Sequence, residues 1–239
     1  MQNPMRIARA AGVFWLMQAA FAPAMIALPK VYVANDAAQT ATNIFAHETL
    51  YRLGFAGNLV AVATYIVVAA LLYALFRPVH KTVAVLATCF SLSGCIILAF
   101  SCVLYVGPLL VLTKAPEATL ASSQHLALML MRLYGQGYNT SLVFFGCFLL
   151  MLGYLVFKSG FLPRALGVAV VIAGLGGVAF LWPPFAVANI RYIMLSWIGE
   201  GAFALWLLAF GVNSTRWHER SHAHAPSTIL QIPQPGLQL

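Results

Sequence analysis

The chain has 239 residues, 62% apolar and 8% charged, with a mean hydropathy of +0.88 and a formal net charge of +8. A soluble globular domain carries about a quarter charged residues, so this composition excludes one and makes the bilayer the solvent. The positive charge does not indicate nucleic acid, because the basic residues sit in short loops beside apolar stretches, where membrane topology places them.

A spanning helix needs ~20 apolar residues, since the hydrocarbon core is ~30 Å thick and a helix rises ~1.5 Å per residue. Six stretches qualify, at 10–28, 53–76, 82–112, 138–157, 165–186 and 192–212. They are continuous rather than alternating, which argues against barrel strands. The predicted fold class is all-α: a polytopic transmembrane helix bundle of six spanning helices with short outer-face helices. It occupies residues 1–213, and 214–239 are expected to be a disordered cytoplasmic tail.

In chain order, Arg6 and Arg9 precede the first stretch, and Ala22-Pro23-Ala24 offers small residues. The run is longer than a signal-peptide core, so it reads as a retained anchor. Asp36, followed by Gln39, is a capping-box-like start for a short outer helix over 37–51. Gly107-Pro108 is expected to break or bend the overlong third stretch. A second outer helix, started by Pro116 and Thr119 and apolar over 126–133, should precede the fourth.

Eight of the thirteen basic residues (Arg6, Arg9, Arg77, Lys81, Lys158, Arg164, Arg216, Arg220) then fall on one side. That side is predicted to be cytoplasmic, so both termini lie inside the cell, and the expected location is the bacterial inner membrane. Arg52-Leu53 recurs as Arg132-Leu133, with glycine (Gly57, Gly137) and asparagine (Asn58, Asn139) following each. This suggests a parallel repeat in which the second and third spans correspond to the fourth and fifth. Cys89, Cys95, Cys102 and Cys147 all lie in apolar runs and read as small core fillers.

Glu200 is the one charge deep inside a stretch, ~20 Å above the inner boundary by residue count. An intramembrane acid is costly, and without a cationic partner burial favours its neutral form. Gln18 lies at ~14 Å, and Asn58 and Asn139 at ~27 Å. His125, Arg132, Gln136 and Asn139 share one helical stripe, and His47, Tyr51, Gly54 and Asn58 share another, with Glu48 and Arg52 nearby. Facing each other, these stripes would form a basic, outward-facing polar funnel narrowing to Glu200. A direct Arg132–Glu200 pair does not follow: on straight helices the depth gap of ~19 Å exceeds the reach of two side chains unless the fourth or sixth span is kinked or water intervenes, and Tyr65 or the asparagines are the expected partners.

The bland readings are interhelical hydrogen bonding for the asparagines and Gln18, and snorkelling for the arginines. His47-Glu48 is not by itself a metal motif, and His218, His222 and His224 fit a polar tail. No metal site and no cofactor are expected. The glycines Gly167, Gly174, Gly176, Gly177, Gly199 and Gly201 predict close helix packing.

Several segments resemble a bacterial membrane family, the Domain of Unknown Function 4386 family. They are Ala8-Arg9-Ala10-Ala11-Gly12, His47-Glu48-Thr49-Leu50-Tyr51-Arg52-Leu53-Gly54, Phe144-Phe145-Gly146 and Leu152-Gly153-Tyr154. Ser159-Gly160-Phe161-Leu162-Pro163-Arg164 leading into Leu166-Gly167, and Glu200 with Leu205-Trp206-Leu207-Leu208, complete the match over about residues 6 to 213. The resemblance implies an integral membrane protein with a retained first span and supplies no activity. It also implies a departure, since a histidine often stands in the family where this chain has Tyr134.

The expected function is binding or transport of a small amphiphilic molecule through the funnel, in contact with membrane lipids and as a homodimer, since six spans are few for a transporter monomer. The ligand-binding candidates are Glu200, Arg132, Arg52, Asn139, Asn58, Gln136, His47, Glu48 and His125. The alternative is an intramembrane enzyme with Glu200 as general acid or base, assisted by His47 or His125. It lacks a nucleophile or metal cluster near Glu200. A haem or quinone protein would need histidines within the spans, and all six lie in loops or the tail.

Overall fold

A computed structural model of the chain describes residues 3–20, 23–114, 116 and 119–223. Among them every regular element is helical. Five segments are long and apolar enough to cross a membrane: Glu48–Phe76, Lys81–Thr113, Leu120–Ser159, Arg164–Leu181 and Ile190–Ala209. The predicted all-α bundle is therefore present. The count of six turns on the first apolar stretch, which forms two helices, α1 (Pro4–Ala20) and α2 (Pro23–Val31). α1 has 17 residues. Its Ala8 and Ala11 are fully buried and Trp15 is 4% exposed, so it is built into the core.

Helix α3 (Ala37–Ala46) starts where the capping signal places it, with the Asp36 carboxylate accepting from the Gln39 amide at 2.8 Å. The Gln39 side chain bonds Asn43 instead of returning to the cap, so half of the box is made. The helix expected over 37–51 stops at His47, where the backbone turns non-helical, and α4 (Glu48–Phe76) begins. Helix α5 (Lys81–Thr113) runs through Gly107-Pro108, so no break occurs there. Proline removes one backbone hydrogen bond, but Leu109 and Leu112 beyond it are buried and hold the last turns in place.

Helix α6 (Leu120–Ser159) merges the predicted outer helix and fourth span into 40 residues. At ~1.5 Å per residue it is ~60 Å long, twice a hydrocarbon core, so it extends beyond the membrane. The opposite error occurs further on. α7 (Arg164–Val178) passes into a 3-10 turn at Ala179–Leu181, and α8 (Pro183–Ala188) and α9 (Ile190–Ser196) follow as short pieces. Pro183 and Pro184 have no N–H to continue a helix, which splits the predicted fifth span. Trp197 separates α9 from α10 (Ile198–Ala209) within the sixth.

α1, α4, α5, α6, α7 and α10 pack each against the next, and α10 closes the ring against α1. The end carrying the start of α1 and the end of α10 is called basal here, and the opposite end apical. At the basal end α11 (Ser214–Ala223) occupies residues expected to be disordered. It docks through Trp217, 8% exposed, whose indole N–H donates to the Leu75 carbonyl at 2.8 Å. Arg216 donates to the Gly160 carbonyl at 3.0 Å, next to the C-terminus of α6, where a cation is favoured. Residues 224–239 of the expected tail lie outside the described residues.

The predicted glycine packing is present at Gly167, Gly174, Gly176, Gly177 and Gly199, but not at Gly201, where a Cβ would meet nothing within 4 Å. Gly146 and Gly153 on α6 meet Gly174, Gly177 and Gly167 on α7, so closely that a Cβ at Gly174 would lie 2.8 Å from the Leu150 amide nitrogen. Gly12 meets the α10 backbone at Ala204 and Leu208 in the same way. The proposed repeat pairs elements of unequal length, 29 and 33 residues in α4 and α5 against 40 and 15 in α6 and α7.

Candidate functional site

Glu200 lies in the first turn of α10, immediately after the interruption at Trp197. Its carboxylate oxygen Oε1 accepts from the Trp15 indole at 2.7 Å. That hydrogen bond joins α1 to α10 beside the point where Gly12 lets their backbones approach. The Trp15 ring is in turn held by Phe203, edge-on at 5.6 Å, Tyr65 at 6.1 Å and Phe148 at 6.2 Å. Phe145 lies 4.5 Å from Tyr65. Three other helices of the ring thus pack aromatic side chains around the indole that holds the carboxyl. Tyr65 and Tyr138 are the other ionisable side chains within electrostatic range of it.

The expected partners separate. Tyr65 is at the site, whereas Asn58 is buried 7% exposed and donates to the Tyr134 hydroxyl at 3.0 Å. Tyr134 belongs to an apical layer in which Tyr51 and Tyr105 stack at 4.5 Å and Tyr105 meets Tyr134 edge-on at 4.9 Å. The Tyr51 hydroxyl donates to the Tyr105 carbonyl. With Leu109, Leu112 and Met131 this layer fills the apical half, so an open polar funnel does not run through it. The reason lies in the same helices. The stripe of His47 carries Tyr51, and on α6 Tyr134 lies on the face away from Arg132; these rings turn inward because they bury more apolar area, which leaves Arg132 outside.

The charged candidates stay outside. Arg52 pairs with Glu48 at 2.8 Å on an exposed face of α4. Arg132 donates to the Asn35 side chain at 2.9 Å, tying α6 to the turn before α3. Asn35 takes a left-handed conformation (φ 66°) there. His47 is exposed at the α3–α4 junction, and Gln136 is exposed. His125 bonds the Ala121 carbonyl within its own helix. Asn139 is partly buried. Of the nine candidates, Glu200 alone lies among the mid-bundle aromatic rings. No group of three metal-ligating side chains occurs among the described residues.

Trp15 was not anticipated, although the sequence carries a signal for it. Ala8, Ala11 and Trp15 fall on one helical stripe, and a buried indole N–H needs an acceptor. Glu200 is the deep carboxyl available to provide one. The Gln18 carbonyl oxygen, one turn beyond Trp15, is buried with no protein partner.

A ring of apolar helices around a single interior acid defines an integral, multi-pass α-helical membrane protein. Residues 10–211 match the family described as Domain of unknown function (DUF4386), and the chain belongs to it. An "Uncharacterized protein" of Archaeoglobus fulgidus is 32% identical over 146 residues, covering 61% of this chain and 76% of the relative. No solved structure matches.

Proposed function

We propose that this protein binds, and in the membrane transports, a small amphiphilic molecule with Glu200 as its polar anchor. The observation that carries the reading is the carboxyl within the helix ring, held through one oxygen by Trp15, whose indole packs on rings from α4, α6 and α10. Such a carboxyl is costly to retain in a membrane without a ligand or proton to serve.

Native mass spectrometry of the purified protein tests this. Wild type is expected to retain a small molecule that Glu200→Leu loses. Equal occupancy in the two, or none in wild type, would sink the reading.

The same reading sets the protein in the cell membrane of a bacterium, surrounded by lipid and associated as a homodimer, with the basal end cytoplasmic. The basal arginines and lysines support that orientation. Alkaline phosphatase fused after Lys114, at the apical end of α5, should be active, and fused after Val212 it should be inactive. Activity from the second fusion would reverse the assignment.

A further inference from the structure

The free half of the Glu200 carboxyl indicates which amphiphiles the site takes. Oε1 is occupied by Trp15. Oε2 has no hydrogen-bond partner among the described residues, yet it is not one of the sealed, orphaned oxygens such as Gln18 Oε1. It therefore looks onto reachable space. Next to it, a side chain added at Gly201 would meet nothing within 4 Å. One carboxyl oxygen is thus fixed and the other is unpaired, one residue from an uncrowded stretch of α10 at Gly201.

Among the described residues no cation pairs with Glu200. Arg52–Glu48 is the ion pair among the described residues, and Glu200 takes part in none. The elements packed on α10 are α1, α7, α9 and, more lightly, neighbours at its ends. α1 brings Trp15, while its Arg6 and Arg9 are exposed towards the basal end. The one charge of α7 is Arg164 in its first turn, exposed and over the Phe157 ring. α9 carries Arg191 and Tyr192, both exposed. Across the bundle Tyr65 and Tyr138 bring phenols and no cation. A carboxylate with aromatic neighbours and no internal counter-ion matches an organic ammonium, which gains both a charge partner and the negative faces of the rings. An anion would meet repulsion, and a neutral molecule would gain neither.

We propose that Glu200 is the anion site for a small amphiphilic organic cation, which displaces the carboxyl proton when it binds. The inference rests on the amphiphile reading above and narrows it. The exchange balances: the carboxylic acid and the cation give a carboxylate–cation pair and one proton released to solvent. The ammonium head would sit at Oε2 beside Trp15 and Tyr65. Its apolar part would lie against the rings that hold the Trp15 indole, Phe148 and Phe203.

Because the proton and the cation compete for one group, affinity should rise with pH. Calorimetric titration with benzyltrimethylammonium between pH 6 and pH 9 tests this, with neopentylbenzene as the neutral isostere and phenylmethanesulfonate as the anion. The expected result is cation binding that tightens with pH, release of about one proton per cation at the acid end, and a loss of roughly tenfold or more in Glu200→Gln. Glu200→Asp, which keeps the carboxyl, should retain the pH dependence at lower affinity. Size-exclusion elution of each variant establishes that it is folded. Cation binding unchanged in Glu200→Gln, or independent of pH, overturns the proposal. Glu200-dependent binding of the neutral or anionic probe overturns the cation class while leaving the amphiphile site standing. Absence of binding by all three probes overturns both.

Discussion

Gly174→Leu is expected to lower the melting temperature of the detergent-solubilised protein by roughly 10 °C, while Gly135→Ala in the neighbouring helix leaves it unchanged or raises it slightly. In a membrane, helices gain no hydrophobic drive from touching each other, because lipid is as apolar as leucine, so close backbone packing must hold them. The α6–α7 seam depends on that closeness. A Cβ at Gly174 would lie 2.8 Å from the Leu150 nitrogen and 2.9 Å from the Gly146 carbonyl oxygen, and one at Gly146 would lie 2.6 Å from the Val178 nitrogen. These are backbone atoms, which cannot rotate away. A leucine must separate the helices along the stretch where Gly153 and Gly167 also meet, at a cost of ~3 kcal/mol or more. At Gly135 a Cβ meets nothing within 4 Å, and alanine gains helix propensity of ~0.5–1 kcal/mol. Thermal melts followed by size-exclusion chromatography measure both. Equal melting of Gly174→Leu and wild type would show that the seam is looser than the structure has it.

Close packing of the fifth span was legible in its own glycines, Gly167, Gly174 and Gly177, while their partners Gly146 and Gly153 on α6 carry no such mark by themselves. The bundle was legible too, since hydrocarbon thickness dictates span length. Within the spans the differences concern backbone continuity. The sequence predicts a break or bend at Gly107-Pro108 and starts the fourth span at Tyr138, just past Gly135 and Gly137, yet both helices run on. Burial of Leu109, Leu112, Met131 and Tyr134 around them outweighs a lost hydrogen bond or a weak propensity. Pro183-Pro184, with exposed Trp182 and Phe185 beside it, has no comparable packing to carry a helix through. For the site, a depth count identified Glu200 as the interior acid. It could not identify Trp15 as its partner, because depth fixes the level of a side chain and not its azimuth. The polar pattern of the Arg132 and His47 stripes does not fix which face turns inward; Tyr51 on one and Tyr134, on the face of α6 away from Arg132, decide it.

The Trp15–Glu200 hydrogen bond should be measurable as a coupling energy. Trp15→Ala removes a ring that touches Tyr65, Phe148 and Phe203, and should cost ~3–5 kcal/mol, the upper range for a buried aromatic. Trp15→Phe keeps most of the ring and removes only the donor, leaving Oε1 unpaired at ~1–3 kcal/mol. Glu200→Leu does the reverse, stranding the indole N–H among apolar neighbours at a similar cost of ~1–3 kcal/mol. Glu200→Gln still offers a carbonyl oxygen to the indole and should melt near wild type. If the hydrogen bond is the shared term, Trp15→Phe combined with Glu200→Leu costs less than the two single changes added, by ~1–2 kcal/mol. Each single variant strands a partner, and the double variant strands neither. Melting in one detergent across the four proteins of this cycle gives the coupling directly. Strict additivity would mean that Trp15 and Glu200 are neighbours without a bond. The carboxyl would then lack the fixed oxygen on which the assignment of a ligand to Oε2 depends.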